Sequence, residues 1–198
     1  MRIFFITLFA VALWWGVDDW RRREIDHAPG VLASAEPSQR DISNAKPIRI
    51  GKYTLTPRAE FSVVARVLGT ERYRFDATAD LIPRDLVLGW GRMSDSTVLA
   101  QIQITQGGRF YFSRYRTVEP ALPFDQIAAS VANMHLIAAN STVARTIDRA
   151  RVGHIIELEG QLVDVRGDSG LQLNTSLTRT DTGAGACEII YVERASTR

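Results

Sequence analysis

The stretch 155–173, Ile-Ile-Glu-Leu-Glu-Gly-Gln-Leu-Val-Asp-Val-Arg-Gly-Asp-Ser-Gly-Leu-Gln-Leu, decides the fold. Its apolar residues come in three short runs, Ile155–Leu158, Leu162–Val165 and Leu171–Leu173, parted by Gly160 and by Gly167-Asp168. Runs this short, bounded by turn formers and rich in β-branched residues, read as strands. A fourth run, Glu188–Val192, follows a glycine-rich turn at 183–185. Four strands with short connections predict a compact antiparallel sheet, or a small barrel, at the carboxy-terminal end.

Outward from there the strand signals continue. Ile48, Ile50, Tyr53 and Leu55 flank a Gly-Lys turn, and Phe61, Val63, Ala65 and Val67 alternate with their neighbours, which predicts a hairpin or two adjacent strands. Ile102 and Ile104, a Gly107-Gly108 turn and Arg-Phe-Tyr-Phe at 109–112 predict another hairpin. Residues 80–101 read as helical in pieces: Asp80 or Pro83 opens Arg84–Leu88, Gly89 and Gly91 interrupt, and Ser94 caps a short helix through Ala100. Helices are also expected over 124–132 and from an Asn140 or Ser141 cap to Ala150, with a short strand at 136–138 between them. The expected class is therefore α+β, mainly β, with one domain at 47–198.

Before the domain, residues 3–17 form an uncharged apolar run, with Trp14, Trp15 and Trp20 clustered at or just past its far end. Fifteen residues of helix span about 22 Å at about 1.5 Å each, short of the roughly 30 Å hydrocarbon core unless flanking residues extend it. Tryptophan at the lipid–water boundary favours an embedded segment over a core helix. A cleaved signal is the rival reading, but Asp-Asp-Trp-Arg-Arg-Arg-Glu separates the run from the nearest small-residue site at 33–35. The expectation is a single transmembrane anchor at 1–20 in a bacterial inner membrane and a proline-containing tether at 21–46. Arg21, Arg22 and Arg23 favour a cytoplasmic domain by the positive-inside rule, whereas a Met-Arg start before an apolar run is the layout of an export signal. The expected placement is periplasmic, with the cytoplasmic one as the alternative.

Charge narrows the partners. Residues 1–23 carry the whole net charge of +2, and the remaining 175 residues hold 20 basic and 20 acidic side chains. A balanced domain lacks the electrostatic footprint of a general nucleic-acid binder, so none is expected as a partner. One cysteine excludes a disulfide framework and a cysteine-cluster metal site, and scattered His27, His135 and His154 form no ligand spacing, so no metal or cofactor is expected.

The candidate site residues are few. Cys187 opens an apolar strand and would need a histidine to act as a nucleophile; His135 is the best placed, with Asn133 or Asn140 to orient it, although core packing is the commoner role of a cysteine in such a place. Trp90, flanked by two glycines, and Tyr111 are the candidates for a stacking surface, against core filling. Asp181-Thr182-Gly183-Ala184 spells the short aspartic-protease motif, but a polar stretch precedes it and no second copy exists, so it reads as a turn.

His-Ala-Pro-Gly-Val-Leu-Ala at 27–33, Asp-Leu-Val-Leu-Gly-Trp-Gly-Arg-Met-Ser-Asp at 85–95, Gly-Arg-Phe-Tyr-Phe at 108–112, Asn-Met-His-Leu-Ile at 133–137 and Arg-Thr-Asp-Thr-Gly-Ala-Gly-Ala-Cys-Glu at 179–188 together resemble an uncharacterised group of bacterial, N-terminally anchored proteins. That resemblance implies no activity, cofactor or site. Three functions fit: a non-enzymatic module docking a partner protein in the envelope, a thiol-dependent envelope enzyme using Cys187 and His135, and a ligand-binding barrel presenting Trp90 or Tyr111.

Overall fold

The computed structural model describes residues 23–178 and 187–198, so the apolar run at 3–17 and the Asp181 motif lie outside the described residues. Among those described, no helix is long and apolar enough to cross a membrane. The chain is mainly β: β1 (Ser38–Asp41), β2 (Ile48–Ile50), β3 (Tyr53–Arg72), β4 (Arg84–Gly89), a 3-10 turn (Gly91–Ser94), α1 (Ser96–Leu99), β5 (Ile102–Gly107), β6 (Phe110–Tyr115), α2 (Phe124–Ala129), β7 (Val131–Ala138), α3 (Ser141–Arg149), β8 (Ile155–Gly167), β9 (Gln172–Leu173) and β10 (Glu188–Thr197). Eight strands form one mixed sheet, and β5 with β6 forms a separate two-stranded one.

Five strands of the large sheet close on themselves. β3 pairs with β4, β4 with β7, β7 with β10, β10 with β8, and β8 returns to β3. All of these pairings are antiparallel except β7 with β10. Counted within the barrel, the order is 1-2-3-5-4-1, with α3 leading from the third strand to the fourth. This is the connectivity of the five-stranded OB barrel. The carboxy-terminal strands are thus not a sheet of their own, because β3 and β7 complete it.

The barrel interior follows from alternation. Phe61, Val63, Leu86, Leu88, Met134, Leu136, Leu158 and Ile190 point inward and are buried, and Val143, Ile147 and Ala150 of the α3 region close one end. Asn140 starts α3 by accepting the N–H groups of Thr142 and Val143 at 3.0 and 3.1 Å, as its side chain predicts.

Several expectations need correction. Residues 84–88 are strand, not helix: β4 is covered on both faces, with Asp85, Leu86, Val87 and Leu88 all at 0% exposure, so its sequence carries no alternation. Asp95, not Ser94, caps α1, through its carboxylate to Thr97 N–H at 2.8 Å. The helix at 124 stops at Ala129, and the expected strand at 136–138 begins at Val131. Gly160 is no turn: β8 runs unbroken from Ile155 to Gly167, and a Cβ at Gly160 would collide with the Tyr191 carbonyl of β10, next to a register shift.

The segment expected as a tether at 21–46 is held against the domain along its described part. Ile25 N–H donates to Val152 O at 2.9 Å, and His27 Nε2 lies 2.7 Å from Gly153 O. Ser94 Oγ accepts from Leu32 and Ala33 N–H at 3.0 Å each, and β1 then pairs along β3. Prolines and glycines interrupt helix and sheet patterning without preventing such strand-like backbone bonding.

Candidate functional site

In OB barrels the outer face of the second and third strands receives ligands. Here that face belongs to β4 and β7 and carries Asp85, Val87, Val131, Asn133, His135 and Ile137, which alternate with the inward residues. Two of the chain's own segments cover it. Hairpin β5–β6 with its flanking helices buries Val87 and Val131 against Met93, Val98, Ile102 and Ile127. The β3–β4 loop buries Ile137 and Ile189 under Leu81 and Ile82.

Between these apolar areas runs a polar seam filled by Arg109. The hairpin turns through Gly108 and Arg109 at φ 58° and 71°, a pair of left-handed residues that suits a two-residue turn. That turn drives the Arg109 side chain inward. Its Nη1 donates to Asp85 Oδ1 at 2.9 Å, its Nε to Asp76 Oδ2 at 2.9 Å, and its Nη2 to Asp76 Oδ1, Thr78 Oγ1 and Ile82 O at 2.9, 3.1 and 3.0 Å. The guanidinium also lies 3.8 Å from the centre of the Tyr73 ring, and the Arg109 N–H donates to the Tyr73 hydroxyl at 3.0 Å.

Ionisation follows this packing. Burial, with Asp85 adding to it, pushes the Tyr73 phenol up to about 12. Burial opposes ionisation of Asp76, yet the Thr78 N–H and the Arg109 guanidinium hold its carboxyl below the usual range. Desolvation likewise raises Tyr111.

The predicted catalytic pair sits at the edge of the seam. His135 Nδ1 is 2.9 Å from Asp85 Oδ2 without forming a hydrogen bond to it. Asn133 donates to Arg109 O at 2.8 Å and accepts from Gln106 Nε2 at 2.7 Å. Cys187 is a half-buried thiol immediately before β10, and its Sγ donates to the same Arg109 carbonyl at 3.7 Å. The parallel register of β10 with β7 starts at Glu188 opposite Met134, so Cys187 falls beside Asn133, diagonal to His135. The fold therefore brings Cys187, Asn133 and His135 to one face, with the thiol directed at a carbonyl and the imidazole at Asp85. Asn140 is elsewhere, capping α3.

The stacking candidates are used differently. Trp90 is 3% exposed within the barrel core, and Tyr111 packs beneath the hairpin with its hydroxyl 3.5 Å from Val131 O. Among the described residues, no group of three His, Cys, Asp or Glu is arranged to hold a metal ion. A separate cleft of about 230 Å³ lies between α3 and residues 80–84. Its cation, Arg84, has Nε 3.5 Å from Asp148, which also pairs with Arg72 at 2.6 Å.

Sequence reading missed Asp85, Arg109, Tyr73 and Asp76. One signal was present: a lone aspartate inside Asp-Leu-Val-Leu-Gly must find a cation if that run is buried. Compared with family models, with curated proteins and with solved structures, the chain matches none.

Proposed function

We propose that this chain is a non-enzymatic protein-interaction module of the bacterial envelope, anchored in the inner membrane by residues 1–20 with its domain on the periplasmic side. The observation that carries the reading is the hairpin fixed across the barrel. The face that could have taken a ligand is spent on holding β5–β6 in place, and Tyr73, Asp76 and Asp85 of the polar seam are all bonded to Arg109. A hairpin locked at its tip by Arg109 is a rigid display element, and preorganisation of this kind lowers the ordering cost of docking a partner.

The anchor rests on the apolar run at 3–17 and its tryptophans. The chain is gripped at Ile25, so the five residues after Trp20 reach at most about 18 Å and keep the Val152–Gly153 end of the domain close to the bilayer. Reporters active only inside or only outside the cytoplasm, fused after residue 198, test the placement. External activity together with specific protein crosslinks from the domain supports the proposal. A cytoplasmic signal moves the module to the inner face, and the lack of any domain crosslink on either side overturns it.

A second reading keeps Cys187 as a nucleophile, favoured by its position diagonal to His135. Here Cys187→Ala would abolish biological activity at unchanged stability. Loss of stability alone would assign the thiol to packing. The ligand-barrel reading has less behind it, since Trp90 and Tyr111 are used in packing.

A further inference from the structure

We infer that the outward face of β6, with the neighbouring tip of the β3–β4 loop, docks an acidic segment rich in aliphatic or aromatic side chains from a partner protein. The inference rests on the interaction-module reading and names the surface and the partner's chemistry.

β6 alternates strictly. Tyr111 and Tyr115 face the core, while Phe110 and Phe112 face solvent at 39% and 60% exposure. Phe75, at 97% exposure, joins them from the β3–β4 loop. The two segments are stapled together, because Arg109, which precedes Phe110, bonds both Asp76 and Tyr73, which flank Phe75 within one or two residues. Three phenylalanines exposed on two segments braced against each other leave apolar side chains for a partner to cover.

Charge selects the occupant. Arg114 and Arg116 continue the outward parity of β6, and Arg74 adjoins Phe75; all three are exposed. Arg114 donates to the neutral Gln103, and neither Arg74 nor Arg116 has a carboxylate partner among the described residues. Aromatic side chains rimmed by arginine are the composition of interface centres, and uncompensated cations favour an acidic partner.

Position argues against the anchoring bilayer as the occupant. The strap is gripped at Ile25 by Val152, and the adjoining Gly153 N–H donates to Val67 O, whose residue pairs with Leu88 toward the Gly89 end of β4; Gly91 N–H, just beyond that end, donates to Ala33 O at 2.7 Å. Arg109 binds at the other end, at Ile82 and Asp85. The hairpin tip is therefore on the part of the domain turned away from the point where the chain leaves toward the membrane.

The test uses the full chain in neutral phosphatidylcholine nanodiscs and three fluorescein-labelled peptides. One alternates Asp or Glu with Phe or Leu, one replaces its acids by Asn and Gln, and one replaces its apolar residues by Ser. The first should bind saturably and at least about tenfold more tightly than either control, and more weakly at high salt. Phe110→Ser with Phe112→Ser, and separately Arg114→Glu with Arg116→Glu, should each weaken it at least about tenfold while leaving the unfolding midpoint unchanged. Equal binding by these variants, or no preference for the first peptide, overturns the inference. So do Phe112-dependent binding to phosphatidylglycerol vesicles with none to the peptides, which assigns the surface to lipid, and a Phe112-dependent dimer in sedimentation, which assigns it to a second copy. Crosslinks to a partner that map elsewhere on the domain would overturn this surface while leaving the module reading standing.

Discussion

Arg109 occupies a backbone region, φ 71°, that non-glycine residues seldom adopt, and its side-chain bonds are what hold it there. Asp85 is fully buried, so removing its cation leaves a charge without solvent. Arg109→Ala should cost about 3–5 kcal/mol, read as a lower urea midpoint. Arg109→Gly, which relaxes the backbone but loses the same bonds, should recover only about 1 kcal/mol of that. If glycine restores full stability, the turn conformation and not the ion pair was the important feature. Tyr73 gives a pH prediction from the same cluster. Its phenol is held up to about 12 against an ordinary 10, so the folded state keeps a proton that the unfolded chain gives up. Its contribution is intact below pH 10 and is lost as pH rises from 10 toward 12. Ultraviolet titration of the chain against Tyr73→Phe should show the difference centred near 12, and a difference centred at 10 would contradict the burial.

β8 shows why an element is harder to read than a residue. Gly160 looks like a break between two short strands, yet it permits one long strand to pass close to β10. A methyl group there meets the Tyr191 backbone, which cannot swing aside as a side chain would. Gly160→Ala should therefore cost about 1–3 kcal/mol or more by thermal or urea unfolding. Gly107→Ala, where open space surrounds the new Cβ, should stay within about 0.5 kcal/mol. Equal effects would mean that close approach is not what glycine supplies at 160. The same limit governs what was legible elsewhere. The β5–β6 hairpin and α3 showed in the sequence because their signals are local: a glycine turn between alternating residues, and an asparagine cap before Val143 and Ile147 at helical spacing. β4 did not, since burial on both faces erases the alternation that marks a strand. Closure of β3 on β8 depends on residues about a hundred positions apart, and nothing local encodes it. At the site, Cys187 and His135 could be chosen by residue type and do share a face. Arg109 looked like one surface arginine among 22, because its burial depends on a turn that aims it inward.

Across the whole molecule, closure means that no barrel strand is an edge, so the five strands should open together. β3 contributes to both neighbours, and its loss at any point breaks two pairings. The amino-terminal strap is attached differently, through Ile25 N–H to Val152 O, the His27 ring at Gly153 O, Gly91 N–H to Ala33 O, and Ser94, whose hydroxyl accepts from Leu32 and Ala33 and donates to Gly91 O at 2.7 Å. It should loosen before the barrel does. Native-state hydrogen exchange should therefore show the Ile25, Leu32 and Ala33 amides exchanging at lower free energy than the amides of β3 and β8. Ser94→Ala removes the one oxygen that accepts from both Leu32 and Ala33 N–H, and should lower strap protection by about 1–3 kcal/mol. Barrel amides should change far less, since β1 still pairs with β3 when residues 25–33 are released. If Ser94→Ala instead lowers every amide equally, the strap is part of the barrel's cooperative unit. On the proposed anchoring, a domain that unfolds together with its strap would hold its orientation at the membrane as firmly as its fold, and one whose strap opens first would reorient on a tether of about twenty residues while the barrel stays intact.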